Sequence, residues 1–115
     1  CDKAFQILNI LDDKWALAEG YKIYGMIHMR KKDLQSAKEA FHSSLDISME
    51  CSYITNIAEV NLEIGLICKE EGIFQEALRH FDESRRIFEE LNINEEVHKI
   101  DGYISETKNG SILRV

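Results

Sequence analysis

Apolar residues recur along most of this chain at spacings of three, four and seven, which is the spacing of one face of an α-helix. Short polar breaks divide the pattern into six segments. The segments cover residues 2–11, 15–30, 34–50, 52–71, 73–90 and 95–107. The pattern therefore predicts an all-α chain of about six helices.

The residues at the breaks are those that begin and end helices. Asp12 and Asp13 precede the second segment and Asp33 precedes the third, and aspartate is a favourable N-cap. Gly72 follows the fourth segment, where glycine readily adopts the left-handed conformation of a helix end. Because the breaks are short, consecutive helices are expected to pack antiparallel.

The stretch over residues 18–50 is repeated 40 residues later. Ten of its 33 positions are identical in the second copy. The first copy of the identical residues is Ala18, Glu19, Gly25, Ile27, Gln35, Ala37, Phe41, Ser44, Ile47 and Glu50, and the second is Ala58, Glu59, Gly65, Ile67, Gln75, Ala77, Phe81, Ser84, Ile87 and Glu90. A fixed period of this length is typical of stacked structural repeats.

A glycine in the middle of a predicted helix recurs in both copies. Glycine costs about 1 kcal/mol against alanine there, so its repetition indicates a packing role. We expect the alanine twelve residues later to face the glycine, and the following phenylalanine to fill the volume between hairpins. The predicted packing residues are Gly25, Ala37, Phe41, Gly65, Ala77 and Phe81.

Composition narrows the class of partner. The chain has 115 residues, a net charge of −7, 30% charged residues and no proline. The negative charge disfavours nucleic acid and anionic membrane surfaces, both of which require a basic face. Three cysteines without close pairing favour a reducing compartment, and the sequence contains neither a membrane-spanning run nor a signal peptide, so a cytoplasmic location is expected.

Both copies carry a motif that resembles the tetratricopeptide repeat. The motif residues are Tyr21, Tyr24, Gly25, His28, Ala37, Phe41 and Ser44 in the first copy, and Asn61, Ile64, Gly65, Cys68, Ala77, Phe81 and Ser84 in the second. The chain departs from the family in lacking the helix-ending proline and in its period of 40 rather than about 34 residues. In this respect it is similar to the longer-repeat variants found in kinesin light chains and bacterial regulators.

The resemblance implies a right-handed superhelix of antiparallel helix hairpins. Residues 15–50 and 55–90 are then two repeats, residues 1–11 the end of a preceding repeat, residues 94–108 a capping or partial repeat helix and residues 109–115 a tail. We expect the sequence to be a piece of a longer array. A native capping helix at residues 1–11 is the alternative.

In this family the first helix of each repeat lines a concave groove. The resemblance places eleven residues there: Glu19, Lys22, Met26, Met29, Arg30, Glu59, Leu62, Leu66, Lys69, Glu70 and Lys99. Methionines at i and i+3 suit an apolar peptide face, although Met26 and Met29 could instead pack against a neighbouring helix. A clamp for a terminal carboxylate is not expected, because Met26 and Glu63 stand where the clamp has asparagine.

The expected function is protein–protein interaction, as a scaffold module that binds a peptide or partner protein within a larger signalling or regulatory protein. The alternative is a dimerisation or structural spacer module without a groove ligand. We also expect self-association, as a homodimer through exposed repeat ends, at the segment Cys1–Leu11 or the last helix, because a truncated repeat array exposes apolar surface.

No pattern in the sequence indicates an enzyme. The four histidines do not pair at three or four residues with each other or at ligand spacing with a cysteine. There is neither a glycine-rich phosphate loop nor a nucleophile elbow. We therefore predict no catalytic residue, no metal and no cofactor, and we expect His28 to be half-buried in packing and His98 to be exposed.

Overall fold

Helices account for nearly all of the described chain. The computed structural model describes the backbone of residues 2–113 and the side chains of residues 13–110. Its helices are α1 (Asp2–Arg30), α2 (Leu34–Cys51), α3 (Ile54–Glu71), α4 (Phe74–Glu90) and α5 (Asn94–Leu113). No strand occurs in residues 2–113, and the all-α prediction is confirmed.

The chain divides into two compact units, Cys1–Tyr53 and Ile54–Val115. In the first unit, α1 packs against α2. In the second unit, α3 packs against α4 and α4 against α5, while α5 also touches α3. Each unit is thus built from sequential helix pairs, as the hydrophobic pattern predicted.

All four connections between helices use the same turn. One residue in each adopts a positive φ between 58° and 80°, and these residues are Lys32, Ser52, Gly72 and Asn92. That residue donates its N–H to the carbonyl three residues back, and the next residue donates to the carbonyl five residues back at 2.8 or 2.9 Å. This bonding is the Schellman motif, which satisfies carbonyl groups at a helix end. The turns lie 20 residues apart, so the chain has a half-repeat of one helix and one turn.

The first helix is longer than predicted. We expected separate helices over residues 2–11 and 15–30, with Asp12 and Asp13 as a cap, but α1 is continuous from Asp2 to Arg30. Aspartate inside a helix costs less than about 1 kcal/mol, and the segment contains neither proline nor glycine before Gly20. Two poor helix formers are therefore insufficient to break it, and the described helices number five rather than about six.

The last helix also extends beyond its predicted end. Asn109 and Gly110 were expected to stop α5, yet the helix continues to Leu113. A Cβ built at Gly110 would lie 3.4 Å from the Phe74 ring, so this position packs against the start of α4. The predicted tail over residues 109–115 is therefore helical through residue 113, and residues 114 and 115 lie outside the described residues.

None of the helices in the described range is both long and apolar enough to cross a membrane. The predicted role of Cys1–Leu11 in self-association involves side chains outside the described set, and it stays a prediction.

Candidate interaction surface

The two glycines of the repeat contact phenylalanine rings within their own hairpins. A Cβ built at Gly25 would lie 2.7 Å from Phe41 Cε1, and one built at Gly65 would lie 2.7 Å from Phe81 Cδ1 and Cε1. Real Cβ atoms do not approach a ring this closely, so only glycine fits. The packing role predicted for the glycines is present, but the phenylalanine, rather than the alanine, supplies the nearest atoms.

The predicted alanines and phenylalanines are otherwise placed as core residues. Ala37 and Phe41 in the first unit, and Ala77 and Phe81 in the second, are completely buried. Four residues after each alanine, the ring lies over the glycine of the first helix, which brings the two helices of the hairpin together. This contact fixes which side of α1 and α3 is left for other interactions.

A buried serine locks each hairpin in the same register. Ser44 Oγ donates to the Ala18 carbonyl oxygen at 2.7 Å, and Ser84 Oγ donates to the Ala58 carbonyl oxygen at 2.7 Å. Both serines are completely buried, so the hydroxyl needs this acceptor. The sequence motif marked these serines only as small residues, and their hydrogen bond was not predicted.

The predicted groove residues of the first unit lie along one side of α1, which we call the α1 surface (Glu19, Lys22, Met26, Met29 and Arg30). Lys22 Nζ pairs with Glu19 Oε1 at 3.1 Å. Met26 and Met29 are half-buried and Arg30 is exposed. The α1 surface therefore combines an ion pair, two partly accessible methionines and a guanidinium group.

The predicted groove residues of the second unit differ more in their exposure to solvent. Leu62 is buried, which leaves little of its side chain for a ligand. Glu59, Leu66 and Lys69 are half-buried, and Glu70 is exposed. Lys99 of α5 is also exposed and pairs with Glu96 at 3.4 Å.

Helix α5 adds one residue to this surface that the sequence reasoning missed, Glu106. Lys69 Nζ of α3 pairs with Glu106 Oε2 of α5 at 2.5 Å and lies 5.7 Å from the centre of the Tyr103 ring. Under the 40-residue shift, Glu106 is equivalent to Leu66 and to Met26, so the repeat itself could have identified it. We call the resulting set, Glu59, Leu66, Lys69, Glu70, Lys99 and Glu106, the α3–α5 surface.

A second ion pair and an aromatic contact hold α5 on α4. Arg85 Nε donates to Asp101 Oδ1, and this hydrogen bond holds the pKa of the Asp101 carboxyl below its usual value. The Phe81 and Tyr103 rings stack with centroids 5.8 Å apart and an interplanar angle of 22°. Tyr103 therefore links the hairpin core to the α3–α5 surface.

One histidine in each unit, His28 and His80, takes part in packing. His28 is half-buried beside the Tyr24 ring at 4.3 Å, and His98 is exposed, as predicted for both. His80 is buried, and its Nδ1 donates to Asn61 Oδ1 at 2.8 Å, since the Asn61 amide nitrogen already donates to the Ile57 carbonyl. This hydrogen bond crosses 19 residues of sequence, and no local pattern signals it.

Aromatic residues also line the outer part of the first unit. Trp15 and Tyr53 meet edge to face with ring centroids 4.8 Å apart. A shallow concavity of about 260 Å³ is lined by Tyr21, Tyr24, Ser36, Glu39, Ala40 and Ser43. Trp15 lies four residues before Glu19 and seven before Lys22, on the side of α1 that carries the α1 surface, whereas the concavity lies on the opposite flank of the helix.

Among the side chains of residues 13–110, no group of three or more histidine, cysteine, aspartate or glutamate residues could hold a metal ion. The expectations of no enzyme, no metal and no cofactor remain predictions.

Comparisons with known proteins identify no relative. No protein-family model matches the chain, no curated protein matches its sequence, and no solved structure matches its fold.

Proposed function

We propose that this chain is a tetratricopeptide-type interaction module that binds a peptide segment of another protein through the first helices of its repeats. The observation that carries the proposal is the repetition of the hairpin at motif positions: glycine against phenylalanine and serine to alanine carbonyl, at the same distances in both units. Hairpins that share their internal packing leave the same side of their first helix for a ligand, and repeat proteins use such faces for binding.

The α1 surface supports a ligand with an apolar side chain. Met26 and Met29 lie one turn apart and are both partly accessible. Thioether side chains are flexible and polarizable, so they can adapt to different apolar groups. Glu19 and Lys22 precede them on the same side of α1 and supply one charge of each sign.

The α3–α5 surface supports a charged ligand. Lys69 is paired with Glu106, whose side chain remains 60% exposed. An exposed ion pair contributes at most about 1 kcal/mol, so a carboxylate on a ligand can replace Glu106 at little cost. Each surface is therefore proposed as a separate contact for a peptide in a helical or extended conformation, with apolar side chains at the α1 surface and charged side chains at the α3–α5 surface.

A random peptide library displayed on phage and selected against the immobilised chain tests the proposal. We expect selected peptides to lose at least about tenfold in affinity against a chain that carries Lys22→Glu and Met29→Ala together. The matched control is Arg79→Glu with Met49→Ala, which changes an exposed arginine and an exposed methionine on α4 and α2.

Two results would contradict the proposal. One is a library that yields no binder to a chain shown to be folded by circular dichroism. The other is a set of binders that loses the same affinity against the control chain as against the α1-surface variant.

A further inference from the structure

The side of α1 that points away from α2 carries a set of exposed apolar residues. Ala18 and Gly25 mark the side packed on α2. At 100° per residue, Gly20 and Ile27 lie about 160° around the helix from them. The residues of this outer face are Ala16, Leu17, Gly20, Ile23 and Ile27, and Tyr24 lies at its edge on the side towards α2.

The outer face is unusually apolar for an exposed surface. Leu17 is 50% exposed and Ile23 is 53% exposed, and Ile27 and the edge residue Tyr24 are exposed as well. The largest apolar patch left on a typical monomer covers roughly 300–600 Å² and is often functional. In α5, the positions equivalent to Gly20 and Ile27 are Ile100 and Thr107, and both are completely buried. The same face therefore serves packing where a helix is available to cover it.

Along one row of the outer face, the side chains change from small in the N-terminal half to large in the C-terminal half. Ala16 and Gly20 come first, followed by Ile23 and Ile27. A Cβ built at Gly20 would meet no atom within 4 Å, so the space above it is open. In an antiparallel pair of α1 helices, Gly20 of one copy would oppose Ile23 of the other and Ala16 would oppose Ile27. Each isoleucine then has a small residue opposite it, which allows close helix packing.

The charged residues at the two ends of the outer face also favour an antiparallel pair of α1 helices. Asp13 lies beyond its N-terminal end and Lys31 beyond its C-terminal end, both exposed and at the same angle around the helix. An antiparallel pair brings Asp13 of each copy close to Lys31 of the other. A parallel pair would instead place like charges together and isoleucine opposite isoleucine.

We propose that the outer face of α1 is a homodimer interface in which two copies of this chain pair their α1 helices antiparallel about a two-fold axis near residues 21 and 22. An interface formed by two such helix faces is expected to bury roughly 1,000 Å², below the about 1,200–2,000 Å² of stable specific interfaces and in the range of weak ones. The dimer is therefore expected to form at micromolar or higher concentrations. The interface does not include Glu19, Lys22, Met26 and Met29 of the α1 surface, so peptide binding and dimerisation can fail independently.

Sedimentation velocity over a range of chain concentrations tests the dimer. We expect the sedimentation coefficient of the unmodified chain to rise from that of a monomer to that of a dimer. Ile23→Glu should weaken the dimer at least about tenfold, because it places a charge on the interface. Met49→Glu, which introduces the same charge at an exposed apolar residue of α2, should leave the dimer unchanged. Circular dichroism verifies that each variant remains helical.

Thiol cross-linking tests the orientation. In a chain with Cys1→Ser and Cys51→Ser, Gly20→Cys and Ile23→Cys are prepared separately, labelled by different tags and mixed with a short bismaleimide. The antiparallel pair predicts that the cross-link joins the two different variants in preference to two copies of either one. Preferential linkage of identical variants would overturn the antiparallel arrangement.

The proposal is overturned if the chain remains monomeric at the highest concentration, including the case in which a different protein occupies the outer face of a monomer. It is equally overturned if Ile23→Glu and Met49→Glu weaken the dimer to the same extent, because the contact then lies elsewhere.

Discussion

The hairpins α1–α2 and α3–α4 are alike inside and different outside. Both place a phenylalanine ring over a glycine and a serine hydroxyl on an alanine carbonyl, with closest distances of 2.7 Å in each case. Outside, Tyr24 is 54% exposed whereas its equivalent Ile64 is 1% exposed. The contacts that build the hairpin have been retained between the two copies, while the faces directed away from it have diverged.

The two hairpins also differ in their buried polar side chains. The second unit contains the buried hydrogen bond between His80 and Asn61. The equivalent positions in the first unit are Ala40 and Tyr21, and Tyr21 is exposed. In the second unit, His80 and Asn61 are buried and satisfy each other, as buried polar groups require. In the first unit, the position equivalent to Asn61 is exposed to solvent and needs no such partner.

The largest effect should come from removing the rings that both hairpins share. Phe41→Ala and Phe81→Ala should each lower the free energy of unfolding by about 3–5 kcal/mol. The loss at Phe81 should be greater by about 0.5–1.5 kcal/mol, because its ring also stacks on Tyr103. Chemical denaturation followed by far-ultraviolet circular dichroism measures the loss. Trp15 is the only tryptophan and reports the first unit by fluorescence.

Equal losses at Phe41 and Phe81 would mean that the Tyr103 contact adds no stability. Leucine substitutions at the same two positions provide the ranking if the alanine variants do not fold.

Adding a methyl group to the packed glycines should be the next largest change. Gly25→Ala and Gly65→Ala should each destabilise by about 1–3 kcal/mol, because the new Cβ would overlap a buried ring. Gly20→Ala and Gly102→Ala, measured at a concentration at which the chain is monomeric, are matched controls, one in each unit, where a Cβ meets no atom within 4 Å. They should stabilise by up to about 1 kcal/mol through helix propensity. Thermal unfolding distinguishes the two pairs, and similar effects at all four glycines would contradict the packing role.

Substitutions at the positive-φ residues of two turns should change the stability in opposite directions. Lys32 and Gly72 occupy equivalent positions with φ of 66° and 80°. Lys32→Gly should stabilise the first unit by about 0.5–1 kcal/mol, and Gly72→Ala should destabilise the second by about 1 kcal/mol, because glycine alone adopts this conformation without steric cost. Melting temperatures of the two variants should therefore move apart, and a shift in the same direction would contradict the shared turn.

The smallest effect concerns the caps of α2 and α4. The Asp33 carboxylate accepts a hydrogen bond from the Ser36 N–H, whereas Ile73 at the equivalent position provides no side-chain cap. Ile73→Ser should add about 0.5–1 kcal/mol, since a serine at this position and Glu76 three residues later would complete a capping box.

The two caps should differ in their dependence on pH. Hydrogen bonds from Ser36 lower the pKa of Asp33 from 3.8. The stabilisation by Asp33 is therefore complete well above pH 3.8 and is lost as the pH falls through the lowered value. Asp33→Asn should remove this part of the acid dependence in urea unfolding series at several pH values, whereas Ile73→Ser should not change it.

Much of the fold could be predicted because its signals are local. The limits of α2, α3 and α4 lie within two residues of those predicted, since Asp33 and Gly72 are strong helix signals. The continuity of α1 through Asp12 and Asp13 could not be read locally, because a weak cap signal competes with the helix on either side. The turn at Ser52 likewise uses a residue whose left-handed conformation no sequence rule requires.

The sequence repeat predicted which residues lie on the candidate surface, but it did not predict the side chains with which they pair. The 40-residue shift places Lys69 correctly on the face of α3 that meets α5, yet its partner Glu106 lies 37 residues away and becomes visible only when α5 packs. Leu62 carries the register of a groove residue but is buried. Apolar spacing identifies a face, whereas the extent to which Tyr24 or Ile64 is covered depends on elements that are distant in sequence.

The identical turns at 20-residue intervals also make the chain suitable for modular engineering. A cassette of residues 34–73 contains two helices and begins and ends at equivalent points of the turn. Tandem copies of this cassette would join through a connection that the protein already uses, so longer arrays could be assembled without designing new loops.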